Sequence, residues 1–235
     1  MNTQPIEKYV ASDGMTLDVH SIFYTIQGEG PYQGRAAVFV RLAGCNLQCP
    51  LCDTDYTSVR TKSDVMDITR HVLSLLPQSG PAYMRNEYLV VITGGEPFRQ
   101  NITKLCKLLL EHVGIVQVET NGTLPPSIDL PPSVDIIVSP KTPKVNRETE
   151  DRALAFKYVL SHDAVAADGL PTSVLGLERI GYVARPRSPT KLIYLQPADH
   201  KDAEINGYNN NTVAKSCMAN GYRLQAQLHK LFNLE

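Results

Sequence analysis

The sequence has no uninterrupted apolar run near the roughly 18 residues that a membrane-spanning helix needs. Its first residues, MNTQPIEKYVASDG, hold no apolar stretch of the kind a secretory signal carries. Neither sign of charge is in excess: 23 Lys and Arg stand against 24 Asp and Glu, so nothing electrostatic points to nucleic acid as a main partner. Internal repeats and low-complexity tracts are lacking too. Cysteine is scarce and odd in number, five in all with three close together, which argues against a disulfide framework. A reducing, cytoplasmic setting with bound metal is expected instead. What remains is an ordinary globular composition over 235 residues, expected to fold as one domain behind a polar leader, residues 1–18, that carries no motif. Additions at that end are expected to be harmless.

The three clustered thiols are Cys45, Cys49 and Cys52, spaced CxxxCxxC in AGCNLQCPLCDT (43–54), directly after an apolar run. Thiolates are soft ligands, and a loop this short can aim three of them at one metal centre. No fourth Cys lies nearby, whereas structural zinc and ordinary iron–sulfur sites take four protein ligands. A 4Fe–4S cluster held by three thiolates leaves one iron open, where another molecule can bind and react. The alternatives are a zinc loop with its fourth ligand elsewhere, or thiols that only pack. Cys106 lies on a helical apolar stripe and Cys217 shares a helical face with Ala214 and Met218, so both are expected in the core.

Apolar runs predict strands at 36–44, 88–93, 116–120, 135–139, 155–160 and 191–196. Between them, Val65, Ile68, Thr69, Val72, Leu73 and Leu76 follow a Ser63 cap at helical spacing and stop at Pro77. A second stripe runs from Ile102 to Val113, with Gly114 just past it. Strands alternating with helices imply βα units, a parallel sheet and, in this order, a partial (βα) barrel. Residues 161–190, with several Gly and Pro and no clean period, read as a loop-rich insertion holding at most one short helix.

Parallel barrels carry active-site residues at the C-terminal ends of their strands, where Thr93-Gly94-Gly95-Glu96-Pro97 falls. The glycines leave backbone open to close approach, and Glu96 supplies an acceptor for an ammonium group. As bare structure the same residues make a strand-to-helix turn. Gln27 and Glu29 sit in a glycine-rich loop, either solvated or turned to a ligand. Arg41 interrupts an apolar strand, where a charge is costly unless paired or solvated at the barrel mouth. Asp53 and Thr54 read as a turn or cap after the last clustered Cys. Ser139, Lys141 and Gln196 end strands on the side of the diglycine turn, and His229 lies near the end; alone, each is ordinary surface polarity.

The cysteine loop resembles the cluster loop of the radical S-adenosylmethionine (SAM) superfamily, and TGGEP resembles its GGE motif. Further stretches resemble one family within it, 7-carboxy-7-deazaguanine synthase: TIQGEGPYQGR (25–35), CDT (52–54), ETNG (119–122) with SPK (139–141), and LQP (195–197) with the closing QLHK (227–230). In the family's closing motif, QTHK, a Thr stands where this chain has Leu228.

The resemblance implies a radical SAM lyase that converts 6-carboxy-5,6,7,8-tetrahydropterin to 7-carboxy-7-deazaguanine with loss of ammonia, in the queuosine and 7-deazapurine pathway. A 5′-deoxyadenosyl radical, made by one-electron cleavage of SAM, takes the hydrogen at C6. It implies a 4Fe–4S cluster on Cys45, Cys49 and Cys52, and SAM held by Gly94, Gly95, Glu96, Ser139, Lys141 and Gln196. Substrate would meet Gln27, Glu29, Arg41, Thr93, Gln196 and His229. Thr54 resembles a magnesium ligand, completed by substrate oxygens and water. A terminal carboxylate on Glu235, its tail anchored by Leu231, Phe232 and Leu234, would also face the substrate. A flavodoxin-type reductant and a homodimer are implied as partners. The alternatives from the residues alone are a glycyl-radical enzyme activating enzyme, which shares CxxxCxxC, and a non-catalytic zinc-binding module.

Overall fold

In a computed structural model of the chain, which describes residues 2–52, 54–77, 87–174 and 183–234, nine strands form one sheet. They are β1 (Thr16–Ile26), β2 (Ala36–Leu42), β3 (Thr61–Asp64), β4 (Leu89–Gly94), β5 (Ile115–Thr120), β6 (Asp135–Val138), β7 (Ala153–Leu160), β8 (Leu192–Pro197) and β9 (Arg223–Leu224). The spatial order is β3-β1-β2-β4-β5-β6-β7-β8-β9. From β2 to β9 every neighbour is parallel, while β1 runs antiparallel to both β2 and β3. Apart from β3 at the edge beside β1, the strands follow chain order, and without β3 meeting β9 they make the expected partial barrel. Helices α1 (Val65–Leu75), α2 (Thr103–Leu110), α3 (Arg147–Arg152), α4 (Ala203–Asn220) and α5 (Leu228–Leu231) complete the fold. Among the described residues no helix is long and apolar enough to cross a membrane.

Side chains alternate across a strand, so the sheet has two chemically different faces. One face carries Val40 and Leu42 of β2, Ile92 of β4, Val118 of β5, Ile136 and Val138 of β6, Phe156 of β7 and Leu195 of β8. It packs against Val65, Ile68 and Val72 of α1, Leu105, Cys106 and Leu109 of α2, and Val213 and Cys217 of α4. This is the main core. The other face is apolar only at its floor, around Ala37, Leu89 and Val91 and around Ile137, Ala155 and Tyr194. Above that floor, towards the C-terminal strand ends, it presents Arg41, Thr93, Glu119, Lys157 and Gln196.

Several expectations need correcting. The leader is shorter than 1–18, because β1 begins at Thr16. Asp64, not Ser63, caps α1, its carboxylate accepting from the Met66 N–H at 2.8 Å, while Ser63 is paired in β3 opposite Leu17. Met218 is 78% exposed, so Cys217 shares its buried face with Val213 and Ser216 instead. Leu231 and Phe232 are exposed and anchor no tail. The expectation for 161–190 needs no change: its described parts are loop, with a bridge between Val165 and Pro171.

Candidate active site

The cysteine loop leaves the end of β2 and lies directly under the diglycine turn that ends β4. The Glu96 N–H donates to the Gly44 carbonyl at 3.0 Å, and the Gly95 N–H to the Leu42 carbonyl at 3.3 Å. A Cβ added at Gly95 would lie 2.1 Å from the Gly44 oxygen and 2.8 Å from Cys45 Cβ. Gly94 has φ of +132°, and a Cβ there would lie 2.1 Å from the Leu42 oxygen. Both positions therefore exclude any side chain, and the cradle they keep is backbone beside thiols.

Cys45 is buried, Cys49 and Cys52 half-buried, and all three are free thiols. Burial pushes the Cys45 thiol up to about 12, against a lowering contact from the Leu47 N–H. Burial also raises Cys49, with the nearby Lys141 ammonium pulling the other way, which places Lys141 towards the cluster loop. Among the described residues no three or more His, Cys, Asp or Glu are grouped to hold a single metal ion. A 4Fe–4S cluster is a wider, soft-ligand group that three thiolates of one loop suit by their chemistry.

Glu96 faces inward and is fully buried. Its carboxylate accepts from the Phe98 N–H (3.0 Å), the Thr120 hydroxyl (2.7 Å) and the Asn121 N–H (2.7 Å), which lock the turn to the end of β5. Burial raises it to about 7 in spite of those three donors. Asn121 then donates to Asn46 at 2.9 Å, so the ETNG stretch also steadies the cysteine loop. Arg99, buried and unforeseen from sequence, supports the loop from below by donating to the Ala43 carbonyl at 2.9 Å.

The leader is a strap across this loop. Glu7 N–H donates to the Cys45 carbonyl (2.7 Å) and Asn2 to the Pro50 and Cys49 carbonyls. Gln4 donates to the Thr54 carbonyl (2.9 Å), accepts from Tyr56 N–H (2.8 Å), and its own carbonyl accepts from Gln48. Residues 2–7 thus hold the segment that carries all three thiols. Deleting residues 2–7 is expected to lower the iron retained after anaerobic reconstitution about twofold or more, because ligand loops bind well only when fixed by their surroundings. Iron and sulfide assays on full-length and truncated protein check this; equal contents refute it.

The second half of the site is the polar face of the sheet. Arg41 and Thr93 are paired across β2 and β4. The Arg41 guanidinium lies 5.2 Å over the Phe23 ring, and its buried Nε has no hydrogen-bond partner among the described residues. Glu29 accepts from Lys157, from Gln227 at 2.8 Å and from Gln196 at 3.1 Å. Burial would raise its carboxyl, but Lys157, Gln227 and His229 together bring it down to about 2. Gln27 donates to Glu119 at 2.9 Å, and Lys157 bridges Glu119 and Glu29. The closing segment is part of the pocket: Gln225 receives the Gly30 N–H and donates to Gln196. His229 on α5 sits against Gly28, where a Cβ would come within 2.6 Å of its Nδ1.

Of the residues singled out in the sequence, the fold gathers Gln27, Glu29, Gln196 and His229, with Arg41 and Thr93 on the same face. Ser139 and Lys141 stand just past β6; Asp53 and Glu235 lie outside the described residues. Glu119 was noticed only as part of a motif, and Lys157, Gln117, Gln225 and Gln227 were not singled out.

A mostly parallel sheet whose strand ends set a three-thiol loop against a diglycine cradle is that of a radical SAM enzyme, with a 4Fe–4S cluster and SAM as its cofactors. A family profile described as "4Fe-4S single cluster domain" matches residues 26–121. A 7-carboxy-7-deazaguanine synthase of Rickettsia prowazekii is 38% identical over 98% of this chain and 94% of its own. Another, of Rhodospirillum rubrum, is 37% identical over 94% of each. The crystal structure of QueE from Escherichia coli superposes with a TM-score of 0.66 at 25% identity, covering 91% of this chain and 94% of that one. The chain belongs to the 7-carboxy-7-deazaguanine synthase family.

Proposed function

We propose that the polar face of the sheet binds 6-carboxy-5,6,7,8-tetrahydropterin and that the enzyme releases 7-carboxy-7-deazaguanine and ammonia. The observation that carries the reading is a Glu29 carboxylate held by Lys157, Gln196 and Gln227 on the same face of the sheet as Arg41, whose buried Nε has no hydrogen-bond partner among the described residues. A carboxylate can accept the adjacent N–H donors of an aminopyrimidinone ring in bidentate fashion, and a guanidinium can fork onto the ring's carboxylate. When bound, the cluster and SAM supply a hydrogen-abstracting carbon radical. The chain's own residues would do the rest: Gly94 and Gly95 would give SAM backbone contact beside the thiols, with Glu96 holding that turn. Ser139 and Lys141, past β6, and Gln196, on β8, would also contact SAM. Thr93, Gln27 and His229 would wall the ring and exclude water. No side chain is required as a nucleophile. Anaerobic incubation with SAM, a reductant and the carboxytetrahydropterin, followed by mass spectrometry, tests the reading; SAM cleavage with no deazaguanine product would overturn it. Kinship over nearly the whole chain leaves the glycyl-radical activating and zinc-module readings unfavoured.

The same reading places the enzyme in the cytoplasm, feeding queuosine or another 7-deazapurine product, with a flavodoxin-type reductant. Exposed Leu224, Leu231 and Phe232 near the C-terminus support a homodimer. Magnesium would join at Thr54. One hydroxyl makes a poor hard-cation site, so the ion enters with substrate oxygens and water. Thr54→Ala is expected to slow product formation more than uncoupled SAM cleavage and to weaken the magnesium dependence of turnover. Unchanged turnover with unchanged magnesium dependence would leave Thr54 as a turn residue only.

A further inference from the structure

Lys157 is a lone charge in the apolar strand ALAFKYVL, and it is 8% exposed. A buried ammonium is tolerated only where anions meet it. Its Nζ donates to Oε2 of Glu29 and, at 2.8 Å, to Oε2 of Glu119. The remaining oxygens are held by neutral amides. Glu29 Oε1 accepts from Gln196 and Gln227, and Glu119 Oε1 from Gln27 and Gln117, each of the latter at 2.9 Å. Lys157 is therefore the cation that stands between the two carboxylates, and Arg41 is engaged elsewhere, over Phe23.

We propose that Lys157 is a positioning residue for substrate: its ammonium keeps Glu29 and Glu119 side by side as carboxylates, so that Glu29 meets the ring N–H donors as a bare acceptor. The proposal rests on Glu29 being the ring's acceptor. Two half-buried carboxylates gathered on one ammonium repel each other once that cation is removed, which favours protonation of one of them. One then takes a proton and offers a donor where an acceptor is needed, or swings out of the pocket. The burial-opposed lowering of Glu29 and raising of Lys157 agree with this arrangement.

Lys157→Met keeps the length and removes the charge. It is expected to raise KM for the carboxytetrahydropterin about tenfold or more, with iron content unchanged, since losing one partner of a buried pair strands the other. Adding Glu119→Gln removes the repelling carboxylate. The double variant is expected to return to within about threefold of Glu119→Gln alone, because the two charges act as one unit. A packing role for Lys157 predicts the opposite, a double variant at least as impaired as Lys157→Met. That result, or an unchanged KM in Lys157→Met, overturns the proposal. Should Lys157→Met not fold, the comparison of the double variant with Glu119→Gln still decides. Glu29→Gln is run beside them. An unchanged KM there overturns the reading of the pocket itself, and the positioning role with it; a raised KM there with an unchanged KM in Lys157→Met overturns the positioning role alone.

Discussion

Cys45→Ala, Cys49→Ala and Cys52→Ala are each expected to lose most of the iron and all SAM cleavage, while Cys106→Ala and Cys217→Ala keep both. The contrast follows from where the fold puts the five thiols. Cys45 stands under the diglycine turn, and Cys49 and Cys52 continue the same strapped loop, with the Cys52 N–H closing back on the Cys49 carbonyl at 3.2 Å. A cluster bound by three thiolates has no spare protein ligand, so removing any one leaves it held at two corners. Cys106 is fully enclosed on α2 and Cys217 is nearly so on α4, both against the apolar face of the sheet, away from the polar one. Trimming Cys106 leaves a void of about a methyl group, a cost of about 1 kcal/mol. Its signature is a small fall in Tm with iron content preserved. Iron, labile sulfide and SAM cleavage measured on the five variants separate the two groups. Full iron and activity in Cys49→Ala would remove the loop from the cluster.

The parallel strands were legible because they are buried on both faces at their roots and so read as continuous apolar runs. β1 was not. Its pairing with β2 slips between Val19 and Ser21, and such an irregularity breaks the two-residue alternation that marks a half-buried strand. Thr16 and Asp18 then make its first residues look like leader. The Ser63 cap failed by one residue for a related reason: a short strand, β3, runs straight into α1, and the backbone pairing claims Ser63 before the helix begins.

The site was legible where chemistry is local and illegible where it is assembled. CxxxCxxC and TGGEP each sit within one loop, and their spacing carries the meaning. The Glu29 pocket draws on the loop after β1, on β5, β7, β8 and on the closing segment, residues up to 198 positions apart. No motif spans such distances. One signal does reach the pocket: Lys157 in AFKYVL, like Arg41, is a charge inside an apolar strand. The leader was missed because its hold on the cysteine loop runs mainly through backbone groups and short amides, which no pattern of apolar residues announces.

The other large effect is expected at Arg41. In the free protein its Nε is buried without a partner, and a buried unsatisfied donor costs about 1–3 kcal/mol. Among the described residues no hydrogen-bond acceptor repays that cost; the guanidinium has its cation–π contact with the Phe23 ring. A bound carboxylate would repay that cost. Arg41→Met keeps much of the side chain's contact with Phe23 and deletes the fork. KM for the carboxytetrahydropterin is expected to rise about a hundredfold, the equivalent of losing about 3 kcal/mol from one half of a desolvated charge pair. Arg41→Lys keeps the charge without the planar fork and should fall between the two. The same Arg41→Met change is expected to raise Tm by about 2–4 °C, as removing one unsatisfied donor from a chain of this size would. Opposite signs in binding and stability mark a residue kept for its ligand rather than its fold. Iron content should not move, because Arg41 makes no contact with the cysteine loop that the hydrogen bonds record. An unchanged KM, or a Tm that falls together with iron, would show Arg41 to be part of the scaffold.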